Sequence, residues 1–255
     1  MRRLGRFTVS PAALLVAALP SLLAQGTGRA QVPPLGVLAS NLFGPHTAFT
    51  ALAKVENAPL DAPATLQLAL CRLGDRVWLN MDLRQIPQAT GTPIPTGLLS
   101  KLGADRAIAV GRLDKSSPWQ IRFPKLQAFY EETLTSSNPR FRLLARGARI
   151  ERTVVGKEDL DGHPCVKHKL VASLKNEREP LGFVWEASDM NRFPIRLDLM
   201  LEGQMTTIRL QDVKFGRANA SYFDLPAGYQ RYKDLQQILL AALQNSLLGT
   251  QPGEK

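Results

Sequence analysis

Short runs with apolar side chains at every second position dominate the chain beyond residue 60. The clearest run spans 65–83, where alternating leucines lead into Gly74 and Asp75 and the alternation resumes beyond them. Because successive side chains of a strand point to opposite faces, this pattern predicts a β-hairpin with one apolar face. Similar runs predict further strands at 106–113, 118–123, 126–134, 149–155, 163–174, 181–187, 193–201 and 205–213.

Helical periodicity is confined to a few segments. The spacing predicts short helices over 97–102 and 35–42, and Asp234 with Gln237 resembles a capping box that opens a helix over about 234–248. Together, about ten short strands and few helices predict a mainly β (α+β) fold built on a single curved antiparallel sheet. The apolar stripe of the last helix is predicted to comprise Leu235, Ile238, Leu239, Ala242, Leu243 and Leu247.

The first thirty residues have the pattern of a secretory signal peptide. Three arginines stand among the first six residues, and an almost wholly apolar run follows at 11–24. We expect cleavage after Ala30, with Ala24 as the alternative, to leave a single mature domain over 31–255. A retained membrane anchor is the other interpretation. No cysteine directly follows the apolar run, so a lipid-anchored N-terminus is not expected.

Composition and charge exclude several classes of protein. The 255 residues are 44% hydrophobic and 21% charged, which is ordinary for a globular chain and argues against disorder or a fibre. The net charge of +10 falls to +6 without the four arginines of residues 1–30, so nucleic-acid binding is not expected. The densest basic cluster predicts a solvated face, or alternatively attraction to anionic lipid head groups. It comprises Arg140, Arg142, Arg146, Arg149 and Arg152.

No arrangement of residues in the sequence predicts catalysis, a cofactor or a metal. The nucleophile-elbow, zinc-protease and phosphate-loop motifs are absent. His163 and Cys165 would point to one side of a strand and His168 to the other, which does not suit a shared metal ion. The adjacent acids at 131–132 and 158–159 cannot converge on one bond. We therefore predict a protein that is not an enzyme.

Cys71 and Cys165 are the only cysteines. Export permits a disulfide between them. Strand alternation places both on the polar side of their strands, where they could pair only if those strands were close. Two unpaired thiols is the favoured interpretation, and the disulfide is the alternative.

Five stretches taken together resemble a known superfamily. They are FTA at 49–51, VGKE at 155–158 with GHPCVKH at 162–168, FPIR at 193–196, DVKFG at 212–216 and FDLPAGY at 223–229. Their order resembles the lipoprotein-sorting carrier superfamily (LolA, LolB and LppX-like proteins), in particular its exported members of unknown function. The resemblance covers most of 45–232. It implies an unclosed half-barrel with helices on the concave side, in the Gram-negative periplasm.

The resemblance also implies a function. Carriers of this kind hold acyl chains between sheet and helices, so we expect a lipid or lipoprotein ligand in an apolar cavity; a closed, fully packed core is the alternative. An envelope interaction or regulatory protein without a lipid ligand is the second hypothesis, and a hydrolase with an unseen site is the third. The candidate cavity lining comprises Leu68, Leu79, Met81, Phe123, Phe183, Trp185, Phe193 and Leu197.

Overall fold

The structure is a computed structural model, and it describes residues 34–58, 65–85, 96–113, 118–132, 142–201, 204–216 and 218–248. The predicted signal peptide, both cleavage sites and Arg140 lie outside these ranges. None of the helices in the described ranges has the length and apolar character needed to cross a bilayer.

Most of the described chain is strand. The strands are β1 (Ala48–Ala58), β2 (Thr65–Leu73), β3 (Arg76–Asp82), β4 (Arg106–Arg112), β5 (Trp119–Phe123), β6 (Ala128–Glu132), β7 (Arg149–Leu160), β8 (His163–Leu174), β9 (Glu177–Ala187), β10 (Phe193–Leu201), β11 (Gln204–Phe215) and β12 (Gln230–Arg231). The structure adds β12 to the strands that alternation predicts, has β1 where the resemblance implies an early strand at the FTA stretch of 49–51, and extends β7 beyond 155. β1 buries Phe49, Ala51, Ala53 and Val55, and small alanines give only a weak alternating pattern.

All twelve strands form one sheet whose two edges do not meet. The order is β12-β6-β5-β4-β3-β2-β1-β11-β10-β9-β8-β7. Every neighbouring pair is antiparallel except β12 with β6, which is parallel. The predicted fold, a single unclosed antiparallel half-barrel, is confirmed.

Short helices cover one face of this sheet. They are α1 (Pro34–Phe43), α2 (Thr96–Leu102), α3 (Arg142–Ala145) and α4 (Leu235–Leu248), of which α3 was not predicted. Each buries only a few apolar side chains: Leu38 and Leu42 from α1, Leu99 and Leu102 from α2, Leu143 and Leu144 from α3, and Ile238 and Ala242 from α4. We call the apolar space between this face and the helices the interior.

The apolar stripe of α4 was only partly predicted. Ile238 and Ala242 are buried, and Leu235 and Leu239 pack against the core. Leu243 and Leu247, which were expected to face the sheet, are exposed instead, as is Leu240. The helix therefore buries its stripe over its first two turns, up to Ala242.

A second, smaller cluster lies on the opposite face of the sheet. Cys71 of β2 and Val110 of β4 are covered there by Phe223. We call the covering segment, residues 218–224, the strap. Buried Arg122 of β5 holds it, because its guanidinium donates to the carbonyl oxygens of Phe223 and Asp224 at 3.0 and 2.7 Å. The FDLPAGY stretch thus supplies the phenylalanine that closes this cluster.

Candidate ligand-binding interior

Six of the eight predicted lining residues lie together in the interior. All belong to the continuous core cluster formed by the sheet and the helices, and all are at most 4% exposed. Alternation along their strands brings them to one face, as the sequence pattern indicated. These six are Leu68, Leu79, Met81, Phe123, Phe193 and Leu197.

Trp185 belongs to the same core cluster and is 2% exposed, and Phe183 packs against that cluster. Val184, between them on β9, pairs with His168 and Leu197 on the interior side, so the two aromatic side chains point to the other side of the strand. Lys167 Nζ lies 5.1 Å from the centre of the Phe183 ring and 4.5 Å from that of Trp185. Both rings therefore make a cation–π contact with Lys167.

Aromatic rings fasten the end of α1 to the sheet. The ring of Phe43 lies 5.3 Å from that of Phe49 and 5.7 Å from that of Phe193. His46 packs edge-on against Phe193 at 5.1 Å, and its Nε2 lies 3.0 Å from the carbonyl oxygen of Asn191. Phe49 and Phe215 also contact Phe193, at 5.0 and 5.3 Å, so four rings surround that of Phe193.

A buried carboxylate anchors the other side of α1. Glu186 of β9 is 1% exposed, and its oxygens accept hydrogen bonds from Arg152 and, at 3.0 Å, from Arg192. Arg152 also donates to the carbonyl oxygen of Asn41 in the last turn of α1. Helix C-termini favour a cation, and α1 has none of its own in that turn. The prediction of a solvated face for the arginine cluster is therefore wrong for Arg152, which joins helix and sheet.

His168 completes this charged group. Its Nε2 lies 3.5 Å from a Glu186 carboxylate oxygen, and the side chain is buried. Burial lowers the pKa of His168; the negative charge of Glu186 opposes this shift, while the charges of Arg192 and Arg152 add to it. Burial and the two arginines thus both disfavour a proton on this imidazole.

This environment predicts an acid-sensitive contribution to stability. The pKa of His168 is lower in the folded chain than the unfolded value of about 6.5, so the unfolded chain binds the proton first as pH falls. Stability should therefore be lost as the pH drops below about 6.5 and should level off below the folded pKa. Thermal unfolding of wild type and His168→Gln between pH 7.5 and 5.5 tests this. The wild-type melting temperature should fall more steeply, and parallel curves would contradict the prediction.

Some buried polar atoms of the interior have no hydrogen-bond partner among the described residues. They are the Tyr130 hydroxyl, Trp119 Nε1, Thr206 Oγ1 and both ring nitrogens of His168. Buried polar groups are usually satisfied, so these atoms mark places where a ligand or water could bind. Alternation could not identify these atoms, because it treats Tyr130 and Trp119 only as apolar positions of strands.

The two cysteines are free thiols in different clusters. Cys71 lies beneath the strap, whereas Cys165 belongs to the main core cluster. Both are buried, and burial raises the pKa of each thiol. The expected position of both on a polar face is therefore wrong: the strap covers the outer side of β2 at Cys71, and Cys165 packs into the main core cluster.

Charged side chains of the described chain make several separate ion pairs besides the Glu186 group. No three metal-binding side chains converge within the described ranges. His163 pairs with Asp189 and His168 with Glu186, so the two histidines occupy separate environments. Glu131 pairs with Arg231, and Glu158 accepts the indole N–H of Trp185.

The chain is similar in structure to several solved proteins. A LolA superfamily protein from Nitrosomonas europaea matches over 76% of this chain and 98% of its own, at a TM-score of 0.36 and 12% identity. Lipoprotein LppX from Mycobacterium tuberculosis matches over 73% of this chain and 96% of its own, at a TM-score of 0.35 and 10% identity. A chain of the Pseudomonas aeruginosa MucA/MucB complex matches over 76% of this chain and 60% of its own, at a TM-score of 0.37 and 15% identity.

The superfamily that the sequence resembles is thus represented among these neighbours. No protein-family model matches the sequence, and no curated protein matches it either. With identities of 10–15% and TM-scores below 0.5, the ligand and partner have to be argued from the residues of this chain.

Proposed function

We propose that this protein is an exported, non-catalytic binding protein that holds an acyl chain, a lipid or a lipoprotein in the interior. We place it in the Gram-negative periplasm without a lipid anchor. The observation that supports the proposal is the construction of the interior. An open sheet presents one continuous apolar face, and short helices rather than further strands close it.

The energies involved favour this use of the fold. Burying a sixteen-carbon chain gains roughly 0.8 kcal/mol per methylene, or about 12 kcal/mol at most. A covering helix such as α2 buries Leu99 and Leu102, and exposing both would cost roughly 3–6 kcal/mol. A ligand could therefore displace one helix with a net gain, and no strand pairing would have to break.

Native mass spectrometry tests the proposal directly. Protein purified gently from the envelope of its own host should carry a mass excess that organic extraction releases as fatty acid, phospholipid or lipopeptide. The delipidated protein should then bind cis-parinaric acid or its methyl ester, two fluorescent acyl probes. A clean apo mass together with failure to bind either probe would contradict the proposal.

Filling the interior distinguishes a ligand space from a closed core. Ala109 of β4 is buried between Leu79 and Ile121 on the interior face. If ligand occupies this space, Ala109→Leu should leave the melting temperature nearly unchanged and weaken acyl-probe binding several-fold. In a closed core the same change should destabilise the fold by about 1–3 kcal/mol.

The matched control is Thr153→Leu on the exposed edge strand β7, which should alter neither quantity. Strong destabilisation of Ala109→Leu with unchanged probe binding would contradict the lipid proposal.

One observation favours the second candidate function, an envelope interaction protein. α4 has no charged residue, and it exposes Leu240, Leu243 and Leu247, which lie on one side of the helix. Scattered exposed leucines are common, but a helical row of three is typical of a docking surface. Leu243→Gln with Leu247→Gln should abolish partner capture in the envelope and leave acyl-probe binding intact. Loss of probe binding instead would favour the lipid function alone.

A further inference from the structure

Three cations lie directly opposite one another on the outer face of the sheet, which is the face opposite the interior. Arg196 of β10 pairs in register with Arg209 of β11, and Arg209 pairs in register with Lys54 of β1. Their strand neighbours Leu197 and Ile208 are buried in the core cluster. Because side chains alternate along a strand, the three cations point to the outer face. We call Lys54, Arg196 and Arg209 the basic row.

The charges of the two outer members of the row are offset within their own strands. Side chains directly opposite on neighbouring strands have Cβ atoms about 5 Å apart, and like charges at such positions destabilise a sheet. Arg196 donates to both carboxylate oxygens of Asp198, at 3.0 and 2.8 Å. Lys54 Nζ lies 2.6 Å from a carboxylate oxygen of Glu56. The repulsion that remains is centred on Arg209.

Arg209, the middle cation, has no close carboxylate among the residues that the structure describes. Thr207 takes the position on β11 that Asp198 and Glu56 take on their strands, and its hydroxyl donates to Asp198 at 2.9 Å. Arg209 Nη1 lies 3.9 Å from an oxygen of Asp161, which is too long for a hydrogen bond. The Nε atom of Arg209 is buried without a partner in the described chain. Buried N–H donors are usually satisfied, so this arginine between two cations indicates a site for an anion.

The basic row is accessible, and one side of it is held in place. Its side chains are between 24% and 34% exposed, so an anion from solution can reach them. The guanidinium of Arg196 lies 4.5 Å from the centre of the Trp185 ring, in addition to its two hydrogen bonds with Asp198. A cation fixed in this way loses little freedom when a ligand binds, which favours binding.

We propose that the basic row binds a phosphate group, with Arg209 at its centre and Arg196 and Lys54 on either side. A guanidinium presents parallel N–H donors that match two phosphate oxygens, and an ammonium adds a point charge. The tetrahedral oxygens of a phosphate can face all three cations, whereas the two oxygens of a planar carboxylate cannot. The phosphate would replace the loose contact of Arg209 with Asp161. A free phosphate ion and a phosphate monoester in a lipid head group present the same oxygens.

Isothermal titration calorimetry with inorganic phosphate tests the proposal. At pH 7.5, with ionic strength held constant by sodium chloride, wild type should bind one phosphate per chain and should bind acetate at least tenfold more weakly. Arg209→Gln should weaken phosphate binding by roughly tenfold to a hundredfold, as expected for the loss of a charged hydrogen-bond donor. Arg178→Gln removes an exposed arginine that pairs with Glu151, and it should bind phosphate as wild type does.

Thermal unfolding without phosphate separates a binding role from a structural one. Arg209→Gln should then melt at or above the wild-type temperature, because the substitution removes the repulsion within the row. A marked loss of stability in this variant would show that Arg209 holds the sheet rather than a ligand. Failure of wild type to bind phosphate, or equal binding by Arg209→Gln, would also overturn the inference.

Flotation with vesicles identifies the source of the phosphate. Wild type that floats with phosphatidylcholine vesicles containing phosphatidic acid, but not with phosphatidylcholine alone, would assign the site to a lipid head group if Arg209→Gln stays behind. Phosphate binding without flotation would assign it to free phosphate. The row lies on the face opposite the interior, so Arg209→Gln should leave acyl-probe binding unchanged. The proposed lipid function and this inference can therefore fail independently.

Discussion

Replacing Glu186 with alanine should lower the free energy of unfolding by about 3–5 kcal/mol. The carboxylate is buried, and it is the shared partner of Arg152, Arg192 and His168. Removing it leaves the positive charges without their counter-ion and loosens the link from Arg152 to α1. Since small domains are stable by only about 5–15 kcal/mol, much of the stability should be lost. Equilibrium unfolding in urea measures the change.

The control is Glu151→Ala, which removes a carboxylate from an exposed pair with Arg178. Exposed ion pairs contribute little to stability, so the free energy of unfolding of this variant should lie within about 1 kcal/mol of the wild-type value. The stability of Glu186→Gln should lie between those of Glu186→Ala and Glu151→Ala, because glutamine keeps the shape of the side chain and one acceptor oxygen. A Glu186→Ala variant as stable as the control would show that the group does not hold the helix.

Replacing Arg122 with alanine should release the strap and lower the free energy of unfolding by about 3 kcal/mol. The guanidinium donates to the carbonyl oxygens of Phe223 and Asp224 and to the side chain of Gln120, and it is nearly fully buried. Without it those acceptors lose a charged donor that water cannot easily replace. The strap should then lift from the outer face and expose Cys71.

The reactivity of Cys71 provides a readout of this change. Burial raises the pKa of its thiol, so the folded wild type should not react with Ellman's reagent at neutral pH. Arg122→Ala should react at one thiol, and a Cys165→Ser background assigns that thiol to Cys71. Arg178→Ala on the exposed surface serves as the control. An unreactive Arg122→Ala variant would mean that the packing of Phe223 and the stacking of Tyr222 on Trp78 hold the strap alone.

The alternating pattern was sufficient to predict the sheet and most of its interior face. Leucines and aromatic residues spaced by two identified most of the strands, and the side chains predicted from them are buried in the core, whereas their role in lining a ligand site stays a prediction. The prediction failed where the strands depart from regular pairing or where small residues replace large ones. β9 pairs with β10 through an irregularity between Pro194 and Arg196, and β8 pairs with β7 through one between Val154 and Gly156. The sequence alone does not show where such irregularities lie, so alternation cannot predict which face of the sheet the side chains beyond them occupy.

The charged parts of the interior could not be predicted for a different reason. Arg152, His168 and Glu186 are 16 to 34 residues apart in the chain and meet only because β7, β8 and β9 are neighbours in this register. A single charged residue in a strand is normally interpreted as solvated, and nothing local distinguishes these three. Arg122 was missed for the same reason, since the carbonyl oxygens that it holds lie about a hundred residues further along the chain.

The place of β1 in the sheet has a consequence for how the chain folds. β2 to β6 and β7 to β11 each pair with their sequence neighbours, so each half can form from local hairpins. Only β1 joins the halves, and its pairing with β11 brings Phe49 to Phe215. Closing so long a loop is slow, and contacts between distant residues form late. We therefore expect two rapidly formed half-sheets, followed by a rate-limiting step in which β11 docks on β1. Until then, the edges of β1 and β11 that later pair with each other stay open to pairing with another chain.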